Sequence, residues 1–567
     1  MKCGNRDRAR LPLCYISVEN PRSGAARPDS VIRICASAAR IGYVHRVTVL
    51  EGQEIELKLE FDPADLGALQ RSSRIRELSI GRAVTRRLRS VYFDTPDLDL
   101  AARGIGLRVR TVGSRRIQTV KTRGGGAAGL FVRGEFECPI VGSRPDLDAV
   151  SDPELRARLR RILLGKTLAP IFETDMRRSR RVLRDGVTEW TCDLDVGEVR
   201  TASASAPICE LELELRQGDP ARLYDLALAL LDSAALRPGT QTKADLGYAL
   251  LTGVRPGPRK AGPIACEGAP DLEALIEAVV RSCLDQIASN ALPAWDGEDP
   301  EGVHQMRVGV RRLRSALSVF KRVLPALHLE RLRGELKWLG GELGEARDLD
   351  VFTEEFLEPI FRVRCQDPAL KRLRDEAQAM RREAQDRVRE AVRSQRYTRL
   401  MLDLGRWLAR AEWRDQPLSA SSALLFQPAE GFAQKLLAKQ RRRARRLGRD
   451  LANAPIETKH ALRIQLKKLR YASEFFRGLF PDRDARRYIS QLSKLQDSLG
   501  HLNDVATAER QLSRILEHLA SEKTAEHERA AGFVEGWAAR DADRGDRRLL
   551  KLWSDFEGVR PFWKLKP

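Results

Sequence analysis

Two hydrophobic periods divide this chain. Between residues 49 and 252, short segments alternate charged and apolar residues with period two, the pattern of strands whose successive side chains point to opposite faces. The clearest are 54–61, 90–93, 106–111, 116–122, 132–139, 177–183, 189–196 and 208–215. Helical period appears near 63–78, 152–164 and 219–234. Many strands with few helices predict an α+β domain dominated by one antiparallel sheet, curled or closed on itself. Residues 253–270, with Gly253, Pro256, Gly257, Pro258, Gly262, Pro263, Gly268 and Pro270, read as a linker. From 271 to 567 the period is 3.6 throughout, which predicts an all-α second domain. Residues 1–48 are rich in Arg, Pro, Ser and Gly without a sustained period, and read as a disordered extension or as sequence ahead of the true start codon.

The first strand carries candidate chemistry. Glu54, Glu56 and Lys58 share one face, and Ile55, Leu57 and Leu59 the other. Two carboxylates and an ammonium in a row suit a hard cation and a polyanion held together. One such strand is equally a solvated face with ion pairs worth about 0.2–1 kcal/mol. Repetition changes the balance. Arg108 and Arg110 alternate with Leu107 and Val109, Thr119 and Lys121 flank Val120, and Glu135 and Glu137 flank Phe136. Asp193 and Asp195 flank Leu194, while Glu210, Glu212 and Glu214 alternate with Leu211, Leu213 and Leu215. If the strands close, these faces converge on a polar lumen. No Walker-type loop is present; Gly124–Gly126 lies before a strand and reads as a turn.

Composition narrows the partners. The 567 residues include 100 Lys and Arg against 79 Asp and Glu, a formal charge of +21, which attracts nucleic acid, anionic membrane or polyphosphate. Nine scattered cysteines without a Cys-x-x-Cys pair argue for a reducing compartment, with neither a disulfide frame nor a zinc site. No apolar run is long enough to span a bilayer, so the expected location is the cytoplasm.

Taken in order, Glu54-x-Glu56-x-Lys58, Leu107-Arg108-Val109-Arg110, Thr119-Val120-Lys121, Asp193-Leu194-Asp195 and Glu210-Leu211-Glu212 resemble the successive strands of the CYTH domain. CYTH proteins are triphosphate tunnel metalloenzymes. The resemblance implies an eight-stranded antiparallel tunnel over 49–252 that hydrolyses or cyclises triphosphates with Mg²⁺ or Mn²⁺. It implies metal ligands at Glu54, Glu56, Glu210 and Glu212, joined by Asp193 or Asp195. Lys58, Arg108, Arg110, Lys121, Lys243 and an arginine near Arg177 then bind phosphate. The catalytic set is Glu54, Glu56, Lys58, Asp193 and Asp195, with a water attacking the terminal phosphorus in line. The middle-strand acid is Glu135 or Glu137, and within Arg177-Arg178-Ser179-Arg180-Arg181 the phosphate ligand stays open.

The helical part contains a repeat. His304, Arg307, Arg311, Arg312 and Arg314 recur 156 positions later as His460, Arg463, Lys467, Lys468 and Arg470. The spacing i, i+3, i+7, i+10 puts His304, Arg307, Arg311 and Arg314 within about 80° of helix circumference. Val303, Met306, Val310, Leu313, Leu317 and Phe320 form the neighbouring apolar stripe. Neither histidine has a second His at i+4, which argues against metal. The acids of Arg347-Asp348-Leu349-Asp350 and of Asn503-Asp504 are suited to orienting the basic side chains. These segments, with Pro561-Phe562-Trp563, resemble the CHAD domain. That resemblance implies paired four-helix bundles over 271–567 whose basic channel binds inorganic polyphosphate, through His304, Arg307, Arg311, Arg314, His460, Arg463, Lys467 and Arg470. One departure is Glu345 where the second copy has His501.

The leading expectation is therefore a metal-dependent inorganic triphosphatase with a polyphosphate-binding helical domain. Competing expectations are a class IV-type adenylate cyclase, a thiamine triphosphatase on the same tunnel, or a non-enzymatic protein of polyphosphate granules. Aromatic residues do not interleave with the basic rows, which argues against nucleic acid.

Overall fold

The computed structural model describes residues 47–48, 52–264, 266, 268–519 and 525–564. The extension expected over 1–48 lies outside these, apart from its last two residues. Eleven strands are described: β1 (Val47–Thr48), β2 (Gln53–Phe61), β3 (Val84–Asp94), β4 (Ile105–Val112), β5 (Arg115–Thr122) and β6 (Gly125–Ala127). They continue as β7 (Leu130–Ile140), β8 (Ala169–Asp185), β9 (Thr188–Arg200), β10 (Ser205–Gly218) and β11 (Leu236–Pro238). Helices α1 (Leu66–Arg71), α2 (Ser73–Leu78), α3 (Asp99–Ala102), α4 (Pro153–Leu163), α5 (Ala221–Leu230) and α6 (Lys243–Thr252) accompany them.

The sheet closes. Hydrogen bonding runs β10–β9–β8–β3–β4–β5–β7–β2, and β2 returns to β10, giving an eight-stranded antiparallel barrel. The closing pair sets Lys58 opposite Glu212 and Glu60 opposite Glu210. On the other edge of β2, β7 pairs with residues 53–57 and β11 takes over at Leu59. Side-chain alternation does the sorting. Ile55, Leu57, Leu59, Leu211 and Leu213 point outward into a core with α5, and Leu107, Val109 and Val120 into one with α4. The charged residues of the same strands are left facing the lumen. Two local differences from the sequence pattern stand out. The 63–78 segment breaks at Ser72 into two short helices, and Gly125–Ala127 forms β6, pairing with β7 where a turn was expected.

The remaining chain is helical: α7 (Leu272–Ser289), α8 (Ala291–Asp296), α9 (Pro300–Val319), α10 (Ala326–Val351), α11 (Glu358–Val363), α12 (Pro368–Arg393) and α13 (Gln395–Ala409). Then follow α14 (Ala429–Leu447), α15 (Ile456–Phe476), α16 (Asp482–His518) and α17 (Ala525–Gly558). The stripe of Val303, Met306, Val310, Leu313, Leu317 and Phe320 is wholly buried, as amphipathic spacing requires.

Barrel and helices share packing. Ala128, in the β6–β7 turn, is buried in the helical core, and Leu402 of α13 in the core beneath α5. Gly405 of α13 faces Tyr224 of α5 so closely that a Cβ there would sit 2.3 Å from the ring. Thr398 donates its hydroxyl to the Leu236 carbonyl at 2.8 Å. No helix among the described residues is long and apolar enough to cross a membrane.

Candidate active site

The barrel register brings the polar faces of eight strands onto one lumen. Asp195 lies opposite Glu210, Asp193 opposite Glu212, and Arg178 opposite Asp195. One oxygen each of Asp195, Glu210 and Glu212 falls within 4.8 Å of the others, a group that can hold a metal ion. The Lys243 ammonium, at the start of α6, reaches all three, at 2.9 Å from Asp195 and 2.5 Å from Glu210 and Glu212. A capping box between Thr242 and Asp245 starts that helix and fixes where Lys243 enters. Lys58 adds a second ammonium 3.1 Å from Glu210, and its Nζ also donates to the Gln241 carbonyl at 3.1 Å.

A second acidic group sits on β2. Glu54 accepts from Lys121 at 2.9 Å and from Arg133 at 2.7 Å, and Arg133 also reaches Glu56 at 3.2 Å. Burial alone would raise the Glu54 carboxyl, but Lys121 and then Arg133 hold it well below the usual carboxylate range. Glu56 goes the other way. Burial, then the Glu212 carboxylate, pushes it up to about 8, and its Oε1 has no hydrogen-bond partner. A fully buried carboxylate oxygen without a partner, beside the Glu54 and Glu212 carboxylates, has room for further positive charge. All donors are oxygen, the set that suits a hard divalent ion such as Mg²⁺ or Mn²⁺. The site chemistry fits a metal.

The basic residues gather on neighbouring strands. Arg108 lies 3.5 Å from Glu135 and 3.8 Å from Glu137, and Lys121 lies 3.0 Å from Glu135. Both glutamates left open in the sequence face the lumen, Glu135 deeper than Glu137. Arg178 contacts Asp193, Asp195 and Glu212 at 2.5–2.7 Å, and Arg180 contacts Asp193 at 2.5 Å. Arg110 differs from these. Its Nε donates to the Ser90 hydroxyl at 3.3 Å, and among the described contacts it has no carboxylate partner. Burial, then Arg108 and Arg178, lowers it to about 10.

Arg177 requires a correction. It is exposed on the outer face of β8, because period two assigns the lumen to its neighbours Arg178 and Arg180. Arg133 escaped the sequence reading altogether. Its signal was available, since it shares the parity of Glu135 and Glu137.

In the helical part, His304, Arg307 and Arg311 line one side of α9. Arg307 pairs with Asp348 at 3.2 Å, as expected for an orienting acid. Burial, then Arg347, pulls the His304 imidazole down to about 4, and its Nδ1 is buried without a partner. Arg314 is exposed, whereas Arg312 is buried against Gln286. On α15, His460 is exposed, Arg463 and Lys467 are half-buried, and Arg470 pairs with Glu474 at 3.4 Å. The side chains of His501, Asn503 and Asp504 lie outside the described residues. Glu345 pairs with Arg387 at 3.0 Å and Arg514 at 2.7 Å, so the first half of the repeat carries an acid of its own.

Glu56 supplies a stability test. Its carboxyl lies above the ordinary 4.5, so the folded state keeps a proton that the unfolded chain loses. The contribution is fully present below about pH 4.5 and is lost as pH rises through about 8. Urea unfolding of the metal-free protein should weaken over that window by at most ~1.4 kcal/mol per pH unit. Glu56→Gln should flatten the slope.

Fold and site together define a closed β tunnel, with an acidic triad able to hold a metal ion, joined to a helical domain that carries basic rows. The family model described as the CYTH domain matches residues 52–248, and that of the CHAD domain matches 278–513. The chain is a CYTH–CHAD protein. An inorganic triphosphatase of Haemophilus influenzae is 29% identical over 199 residues, covering 35% of this chain and 55% of that protein. An uncharacterized protein of Mycobacterium tuberculosis is 28% identical over 347 residues, covering 57% of this chain and 63% of its own length. The chain thus spans less than two thirds of either relative. The crystal structure of the CHAD domain from the plant Ricinus communis aligns with TM-score 0.46 and 30% identity, over 54% of this chain and 98% of that one.

Proposed function

We propose that the tunnel hydrolyses inorganic triphosphate with a divalent cation, and that the helical domain binds polyphosphate through its duplicated basic rows. The observation that carries this reading is the pairing of opposites in one lumen. Arg110, half-buried beside Arg108 and Arg178 without a carboxylate of its own, faces a chamber whose other wall is Asp195, Glu210 and Glu212. A guanidinium without a carboxylate partner calls for an anion. Three carboxylate oxygens within 4.8 Å of one another, balanced here by the ammonium groups of Lys243 and Lys58, can take a cation in their place. A phosphate chain carrying a metal satisfies both.

Asp195, Glu210 and Glu212, with Glu56, would hold Mg²⁺ or Mn²⁺, which when bound neutralises phosphate charge as a Lewis acid. Arg108, Arg110, Arg178 and Lys121 bind phosphate oxygens and fix the chain in line for attack. Lys243 and Lys58 balance the acidic triad and become available to phosphate oxygens once a cation takes those carboxylates. Glu54, held ionised by Lys121 and Arg133, orients those two bases. Catalysis on this reading is positioning and electrostatics by the chain's own side chains. The described cysteines are free, consistent with a cytoplasmic setting.

A substrate panel tests this. With Mg²⁺ or Mn²⁺, tripolyphosphate should be turned over with a kcat/KM at least about tenfold above ATP or thiamine triphosphate. Formation of cyclic AMP would reassign the tunnel as a cyclase. Preference for thiamine triphosphate would reassign it to that ester. Polyphosphate binding without turnover of any substrate would leave a granule-binding protein.

A further inference from the structure

The seam between barrel and helices holds two arginines that neither the tunnel nor the helical rows use. Arg237 on β11 lies opposite Glu60, the last acid on the lumen face of β2, which itself lies opposite Glu210. The α12–α13 junction is fixed beside this strand. Gln395 Nε2 donates to the Ala234 carbonyl at 3.3 Å, and the Thr398 hydroxyl to that of Leu236 at 2.8 Å. Arg393, the last residue of α12, therefore borders β11. Its guanidinium lies 3.9 Å from the Trp295 ring centroid, a stacking contact that orients the group and leaves its N–H fork open.

Neither Arg237 nor Arg393 has an ion pair or hydrogen bond among the described contacts. Two neighbouring arginines of α13 are paired. On the same junction Arg396 pairs with Glu335 at 2.7 Å and Arg399 with Asp232 at 3.6 Å. Arg393 feels its neighbour, since burial and then Arg237 lower its proton affinity. Glu60, opposite Arg237 across the strand pair, makes no ion pair with either guanidinium among the described contacts. Arg393, oriented by Trp295, and Arg237 on the adjoining strand, neither with an ion pair among the described contacts, form a site for phosphate oxygens.

We propose that Arg237 and Arg393 form a phosphate-binding step at the seam, which takes the inner phosphates of a linear polyphosphate whose end lies in the tunnel. This rests on the triphosphatase reading and extends it to long chains, with the seam joining the two domains' substrates. The seam adds contacts for phosphates beyond the end held in the tunnel, so its contribution grows with chain length.

The test uses the full-length protein as wild type, Arg393→Glu, Arg393→Lys and Arg237→Ala. Phosphate release with Mg²⁺ is followed on tripolyphosphate and on long-chain polyphosphate. Arg393→Glu should lose about tenfold in kcat/KM on the long chain, through KM, as expected for a charge-assisted contact. The loss on tripolyphosphate should be at least about fivefold smaller. Arg237→Ala should follow the same split, and Arg393→Lys should retain most of the wild-type long-chain rate. Equal losses on both substrates, or no loss on the long chain, overturn the proposal. If the wild type releases phosphate from neither substrate, the triphosphatase reading fails by itself. The seam is then judged by equilibrium binding of long-chain polyphosphate. Weaker binding by Arg393→Glu but not Arg393→Lys supports it, and unchanged binding overturns it.

Discussion

Glu212→Gln should lower metal-dependent phosphate release from tripolyphosphate by about 10²–10³-fold, the loss typical when one preorganised electrostatic group leaves an active site. Glu212 is the junction of the site. It lies among the metal-competent oxygens with Asp195 and Glu210, and it contacts Lys243, Lys58 and Arg178. Burial would raise its carboxyl, yet Lys243, Arg178 and Lys58 hold it well below the ordinary value, so it is fully ionised. Glutamine preserves the shape and removes the charge that a hard cation needs. The fold should survive, because Lys243 keeps Asp195 and Glu210, and Arg178 keeps Asp193 and Asp195. Steady-state phosphate release, read beside a melting curve, separates the two effects. Wild-type turnover by this variant would remove the acidic triad from the mechanism.

Arg133→Met should cost about 3–5 kcal/mol of stability, the range for removing one partner of a buried ion pair. Arg133 is 7% exposed and lies between Glu54 at 6% and Glu56 at 2%. Without it, Glu54 keeps only Lys121, and Glu56 keeps no basic partner among the described contacts. The ionised Glu54 would then lie beside the Glu56 carboxyl with Lys121 as its one remaining basic contact among those described. Adding Glu54→Gln should recover part of the loss, because the stranded charge rather than the missing contact dominates it. Denaturant unfolding of the single and double variants measures both quantities. Additive losses would show that Arg133 packs without pairing.

The strand faces were legible in the sequence because alternation with Leu, Ile and Val marks which parity is outward. That is why Glu54, Lys58, Arg108, Arg110, Lys121 and Glu212 all reach one lumen. The same rule fails between Arg177 and Arg181, where four arginines and a serine give no apolar parity to read. There the neighbouring strand decides, through Arg178 opposite Asp195. The first half of β3 was missed for the same reason, since Thr85, Arg86 and Arg87 are exposed in succession. Closure was legible through the resemblance and not from the local pattern. It depends on β2 meeting β10, residues about 150 positions apart, in a register that no local pattern encodes. Nor could spacing place Lys243 among Asp195, Glu210 and Glu212, because a helix start carries it there across the end of the barrel. The basic rows of the helical repeat were legible as rows. Their unequal surroundings, with Glu345 held by Arg387 and Arg514, depend on tertiary packing.

The most direct measurement is orthophosphate release from tripolyphosphate by the full chain, first stripped with a chelator and then resupplied with Mg²⁺ or Mn²⁺. A tunnel that joins a cation to a phosphate chain predicts negligible release in chelator and recovery of turnover on adding either ion. Release that proceeds equally in chelator, or none under any metal, would contradict it.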